Sequence, residues 1–425
     1  MRILVVSNTA WNNNNSFGNS FSNIFSGIED IEIANIFCRQ EEPDNFLVKR
    51  YFQITEKSLL KNLKNRHIPS GKEVFVNTAE SMAENEKKAF NYARKRRWGI
   101  MFFARDMIWR IGRWKSKELS DFIDDFNPDL LFMPIYYSSY LNDIVAFVKK
   151  HTNKPMMGYI SDDNYTLRQF SLSPFYWIDR LYKRQKVKKS IDLCDTLYVI
   201  SNIQKQEYDK CFKKNCKILW KINDFFDMPK HKGHNNPIKL VYTGNIGAGR
   251  YKQLSLIGKQ LFEINKCGVK IELDIYTQTP MSKKMEKVLD IPCINMKGGI
   301  PASKVDEVQN DADILVHVES FDLKSRLAVH QSFSTKIVDY LYKGKCILAV
   351  GPHDVASIDY LKKNDAALVA TNRDELKTVL ERIVNDKDIL EMYGEKAWSC
   401  GKKNHQRKEI QERLKKDFAA VISNR

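Results

Sequence analysis

The sequence predicts an α/β protein made of two domains, each a mostly parallel sheet with helices on both faces. Three observations predict it. Short apolar runs alternate with amphipathic stretches along nearly the whole chain, the pattern of repeated β–α–β units. The 425 residues are too many for one ordinary core and suit two of roughly 200 each. Between the alternating halves lies Met228 to Pro237, MPKHKGHNNP, polar and rich in turn formers, which reads as the linker. The domains are therefore placed at 1–230 and 238–402, with 403–425 as a closing amphipathic helix.

In the first half the expected strands are Ile3 to Ser7, Ile31 to Phe37, Leu130 to Pro134, Pro155 to Ile160, Thr196 to Ile200 and Lys217 to Trp220. Leu141 to Lys150 and Pro174 to Ile191 carry helical periodicity. Residues 40–120 are the least readable part. In the second half, strands are expected at Lys239 to Thr243, Lys270 to Tyr276, Asp313 to Val318 and Cys346 to Val350. Helices are expected at Tyr251 to Asn265, Arg373 to Val384, Ile389 to Tyr393 and Gln406 to Ile422.

Composition narrows the function classes. MRILVVS reads as a first strand, because its apolar run of about six is too short for a signal peptide. No apolar run reaches the ~18 residues of a membrane span, so a soluble cytoplasmic protein is expected. The eight cysteines are scattered without Cys-x-x-Cys pairs and read as reduced packing residues. A net charge of +17 asks for an anionic partner. No helix-turn-helix, zinc-finger or RNP-like element occurs, so polyphosphate substrates and anionic membrane fit better than nucleic acid.

The most informative stretch is Gln331 to Pro352, QSFSTKIVDYLYKGKCILAVGP. Ser332, Ser334 and Thr335 are cap candidates, and Ile337, Val338, Leu341 and Tyr342 give the helix that follows one apolar face. Gly344 ends it, and Cys346 to Val350 is a buried-strand run. A helix N-terminus offers free N–H groups and partial positive charge to a phosphate. Lys336 adds a cation, and Asp339 stands one turn on, where a carboxylate accepts two hydrogen bonds from a ribose diol.

This stretch resembles the donor-site signature of GT-B glycosyltransferases of the family-4 type, in which a Glu-x7-Glu element opens a helix of the form KLFEYLAAGKPVIA. Here Gln331 and Asp339 keep the spacing, with both acids altered, and Tyr340, Leu341, Gly344 and Lys345 match the helix. The resemblance implies two Rossmann-like domains facing a cleft, a final helix crossing back to the first, and a nucleoside-diphosphate sugar as donor. Gln331 would lie near the transferred sugar without the family's charge.

Other residues follow from that frame. Tyr242 to Arg250, YTGNIGAGR, joins a strand to a helix; Gly244, Asn245 and Gly247 allow close backbone approach, and Arg250 can bind a diphosphate bidentately. It is similar to the family's phosphate loop; otherwise it is an interdomain turn with Arg250 in solvent. Asp162 and Asp163 follow the strand MMGYI, where related enzymes carry a His-Asp pair. Either contacts the sugar or takes the acceptor proton, or the pair caps the next helix. Gly18 in the first loop is a diphosphate contact candidate, Glu319 a sugar-hydroxyl or surface residue, and His330 a phosphate contact or a structural histidine. No Asp-x-Asp follows a strand in the donor half, so no metal or other cofactor is expected.

Residues 87–117 hold eleven Lys/Arg against the single acid Asp106, interleaved with Trp98, Phe102, Phe103, Ile108, Trp109 and Trp114. Such a segment docks on anionic membrane or forms a core helix with a basic exposed face. The expected function is transfer of a sugar to a glycan or lipid-linked acceptor in surface polysaccharide synthesis, with retention. A sugar-nucleotide epimerase of the UDP-N-acetylglucosamine 2-epimerase type and a non-catalytic basic adaptor are the alternatives.

Overall fold

The computed structural model describes residues 1–76, 99–230, 233–386 and 388–423. Two sheets organise the chain. The first comprises β1 (Arg2–Ser7), β2 (Glu32–Phe37), β3 (Val48–Ile54), β4 (Gly71–Val74), β5 (Leu130–Pro134), β6 (Met156–Ile160), β7 (Thr196–Val199) and β8 (Lys217–Ile218). Their order is β4-β3-β2-β1-β5-β6-β7-β8, and only β4 runs antiparallel, against β3. The second comprises β9 (Ile238–Thr243), β10 (Ile271–Tyr276), β11 (Ile294–Gly298), β12 (Ile314–Val318), β13 (Cys346–Val350) and β14 (Leu368–Ala370). Its order, β11-β10-β9-β12-β13-β14, is doubly wound, with the strand order reversing between β9 and β12.

Each sheet is sandwiched because its strands are apolar on both faces. β5 and β13 are buried at every residue. Leu131 and Met133 face one core of the first domain, Leu130 and Phe132 the other. In the second domain Leu348 and Val350 face one core, Ile347 and Ala349 the other. The Arg407–Ser423 helix returns to the first domain, where Ile410, Leu414 and Phe418 join the core beside Phe25 and Phe132. Asp417 secures it, accepting from Tyr198 Oη at 2.6 Å and Lys217 Nζ at 2.5 Å.

Three differences from the sequence reading have physical causes. β3 and β4 lie in the unreadable region, where charged residues at the sheet edge interrupt the apolar pattern; Arg50 pairs with Glu73 across them. The helix expected at Ile389 to Tyr393 runs on as Asp388–His405, because its glycines are packing sites, not breaks. A side chain at Gly394 would overlap the Gly344 carbonyl, and one at Gly401 would overlap Phe225.

The third concerns 87–117, of which 87–98 lie outside the described residues. Trp109 and Trp114 do not belong to an exposed aromatic surface. Trp109 and Trp114 are buried in the first core, and Trp109 stacks on Tyr140 at 4.4 Å and donates Nε1–H to Glu56 at 2.9 Å. Mixed basic and aromatic composition reads alike for a membrane segment and for a core helix with charged flanks. No described helix is long and apolar enough to cross a membrane.

Candidate functional site

The loops at the carboxyl ends of β9 and β12 converge at the switch point of the second sheet, where α/β folds receive ligands. After β9 the chain turns through Gly244, whose φ of +148° L side chains rarely adopt, and enters the Arg250–Ile264 helix. The turn is braced internally. Asn245 Oδ1 accepts from Gly247 N–H at 2.6 Å and from Thr279 Oγ at 3.2 Å, and Tyr242 Oη donates to the Asn245 carbonyl at 2.7 Å.

Lys336, the first residue of the Lys336–Lys343 helix, reaches across to this turn. Its Nζ donates to the Thr243 carbonyl at 3.0 Å and occupies the space a side chain at Gly244 would fill. Burial, then the nearby Arg250 cation, lowers its pKa to about 8. Arg250 is held bidentately by Glu319, donating from Nη2 to Oε2 at 2.9 Å and Oε1 at 3.3 Å and from Nε to Oε2 at 3.2 Å. Glu319 is buried, and that burial raises its carboxyl pKa against the pull of Arg250. His317 Nε2 lies 3.7 Å from Glu319 Oε1 and has no hydrogen-bond partner among the described residues; burial, followed by Lys336 and Arg250, holds its pKa down to about 3. The site is therefore two cations over a buried carboxylate and a neutral imidazole. Glu319 positions Arg250; it is not a surface acid.

The start of the Lys336–Lys343 helix completes the cradle. Thr335 is exposed at the N-cap, makes no side-chain cap bond, and its backbone N–H and that of Lys336 have no acceptor among the described residues. The Ser334 N–H is taken by Ser357 Oγ at 3.0 Å. Asp339, one turn on, faces the first domain: Lys221 Nζ sits 2.5 Å from its Oδ1.

The first domain meets this edge closely. Asp162 is exposed and accepts from Ser332 Oγ at 2.9 Å, so it stands beside the 330–335 loop. Asp163 is spent on its own turn: it accepts from the N–H groups of Tyr165 and Thr166, from Thr166 Oγ1 and Gln169, and pairs with buried Arg180 at 3.3 Å. Of the two readings of the pair, Asp163 takes the structural one. Gln331 is buried, donates Nε2–H to Glu207 Oε2 at 2.5 Å, and leaves Oε1 without a partner among the described residues. Glu207 also meets Arg168 at 2.7 Å and His330 at 3.1 Å, and the hydrogen bond from His330 leads the causes holding its pKa down. His330 thus belongs to a cross-cleft cluster.

Gly18 is a packing position of the first loop. It is buried beneath the first loop, its N–H caps onto Asn15 Oδ1 at 2.7 Å, and a side chain there would overlap the Asn12 carbonyl. The asparagine tract folds onto the 42–45 segment, Asn13 N–H donating to Asp44 at 2.7 Å. Arg168, Glu207 and Lys221 were invisible in sequence, because each belongs to a polar surface that only the docking of the domains turns into a site. Among the described residues no cluster of three or more His, Cys, Asp or Glu side chains is arranged to hold a metal. An open concavity lined by Asp129, Lys154 and Ile422 sits at the amino ends of β5 and β6, opposite the end where the loops converge.

Comparison with solved structures identifies the architecture. HepE of Anabaena, crystallised in complex with UDP, aligns over 99% of this chain and 100% of its own, with a TM-score of 0.61 at 11% identity. Sucrose-phosphate synthase of Thermosynechococcus elongatus aligns over 100% of both chains, with a TM-score of 0.63 at 9% identity. These are GT-B glycosyltransferases. The fold is GT-B. TarM, at a TM-score of 0.59 and 11% identity, covers 98% of each chain and shares it. No family model and no curated protein matches the sequence.

Proposed function

We propose that the protein is a glycosyltransferase that takes a sugar from a nucleoside-diphosphate donor. The observation that carries this reading is the convergence of Lys336, Arg250 and the open N-terminus of the Lys336–Lys343 helix over Gly244 at the sheet's switch point. Breaking a glycosidic bond to a diphosphate leaves negative charge on the phosphates, and pre-placed cations and N–H groups stabilise it as it forms. Lys336 is well suited, since an arriving diphosphate replaces the water that burial has removed. Asp339 holds the ribose diol after Lys221 releases it. Gln331 accepts a sugar hydroxyl through its unpartnered Oε1.

We further propose a glycan or lipid-linked acceptor of the kind used for surface polysaccharides, entering beside Asp162 at the inner face of a membrane. Retention of configuration suits the site: the departing phosphate takes the acceptor proton, and Asp162 orients the hydroxyl. HepE has been crystallised with UDP-glucose, and an Escherichia coli trehalose-6-phosphate enzyme with UDP-2-fluoro glucose, so uridine nucleotides are the first to try. The test is thermal stabilisation and nucleotide release across a panel of nucleotide sugars. No stabilisation by any nucleoside diphosphate at millimolar concentration would sink the proposal.

A further inference from the structure

The Pro174–Asp192 helix is amphipathic the wrong way round for a core helix at its start. Its inward face there carries Arg180 and Lys183, only 4% and 8% exposed, both lying over the Tyr137 ring. Its outward face carries Phe175 at 82% and Ile178 at 66% exposure, with Leu181 and Tyr182 following Ile178 at i+3 and i+4. Leu172, just before the helix, is 89% exposed, and Leu167 and Phe170 extend the surface toward the cleft. Single exposed apolar residues are ordinary; a run this dense exposes on the order of several hundred Å² and marks an interaction surface.

We infer that this face, centred on Leu172, Phe175, Ile178 and Tyr182, seats the protein on an anionic lipid bilayer. Charge selects the occupant. Residues 167–189 contain seven Lys/Arg (168, 180, 183, 184, 186, 188 and 189) against one acid, Asp179. Of these, Arg168, Lys188 and Lys189 are exposed around the apolar face. Arg168, Lys186 and Lys188 meet Glu207, Asp143 and Asp192, Arg180 meets Asp163, and Lys183 meets Asp179 and Asp106, so the positive charge left on this face is that of Arg184 and Lys189. A second copy would set Arg184 and Lys189 against the same cations of its partner, which repels, whereas lipid phosphate attracts them. Apolar side chains entering the acyl boundary, with cations against lipid phosphate, satisfy both halves of the surface. Trp177, which donates Nε1–H to the Ser171 carbonyl at 2.9 Å, and Tyr182 are of the type that sits at that depth. The face ends at Arg168, which bonds Glu207 and approaches His330 at 2.8 Å, so a headgroup held there stands at the cleft mouth. The inference deepens the acceptor side of the proposed function and rests on it for its purpose, while the docking is measured without any sugar donor.

The test is co-sedimentation of the full chain with mixed phosphatidylglycerol–phosphatidylcholine vesicles and with phosphatidylcholine alone, at low and high salt. The expected result is salt-sensitive binding to the mixed vesicles only. Combined Leu172→Ser, Phe175→Ser and Ile178→Ser substitutions, at exposed positions outside the donor site, are expected to weaken it about tenfold or more. Melting temperature and stabilisation by UDP should stay as in the wild type, so loss of docking and loss of donor binding are read separately. The inference is overturned if the wild type ignores anionic vesicles, or if the triple variant binds them equally well. It is also overturned if the wild type self-associates in solution and the variant does not, because the face is then an interface between copies.

Discussion

Replacing Lys336 by methionine separates a binding role from a structural one. The ammonium is surrounded by Arg250, Glu319 and the Thr243 carbonyl, and burial with the Arg250 charge brings its pKa to about 8 against the ordinary 10.5. The folded protein thus holds this proton less well than the unfolded chain, so a neutral side chain of similar length relieves a strain. Lys336→Met is expected to melt no lower than the wild type. A charge-assisted hydrogen bond to a diphosphate oxygen is worth about 1.5–3 kcal/mol, roughly a ten- to hundredfold change in dissociation constant. Nucleoside-diphosphate affinity should fall by that factor. The pH dependence supplies a second sign. A bound diphosphate raises the lysine pKa back toward its ordinary value, so binding takes up a proton between pH 8 and that value. Wild-type affinity should hold below pH 8 and decline above it, by up to about tenfold per unit, while the variant's stays flat. Calorimetry with UDP at pH 7, 8 and 9, in buffers of differing ionisation enthalpy, measures both. Equal affinity of variant and wild type, or parallel decline of both with pH, would refute the assignment of Lys336 to the phosphates.

Asp339→Ala is expected to weaken UDP by about 1–3 kcal/mol and to leave inorganic pyrophosphate binding nearly unchanged, since the acid serves the ribose and not the phosphates. Lys221→Met removes a competitor for that carboxylate and should tighten UDP by about two- to fivefold, the worth of a half-buried surface ion pair; calorimetry reads both. Asp163→Ala strands buried Arg180 and should cost about 3–5 kcal/mol in urea unfolding, whereas Asp162→Ala should leave stability within about 0.5 kcal/mol and lower turnover. Gly18→Ala forces the Asn12 backbone aside and should cost about 1–3 kcal/mol with UDP affinity unchanged, which denaturant titration and calorimetry test together.

The sequence alone determined the two mostly parallel sheets and the closing helix, because apolar runs of strand length and helical stripes are local signals. The Gln331-to-Pro352 stretch was legible for the same reason: cap, stripe, terminal glycine and buried strand all lie within 22 residues. Tertiary structure decided what each polar side chain faces. Asp162 and Asp163 are neighbours with the same chemistry, yet one meets the facing loop and the other closes its own turn. Glu319 reads as a sugar-hydroxyl contact or a surface acid until packing buries it under Arg250. The tryptophans at 109 and 114 and the phenylalanine at 175 are alike in composition, yet the first two are core and the third is bare, because which helix face meets a sheet is set by the neighbouring elements and not by the residue. Glu207 meets Gln331 and His330, and Lys221 meets Asp339, only when the domains meet, more than a hundred residues away along the chain, a distance over which local sequence carries no pairing information.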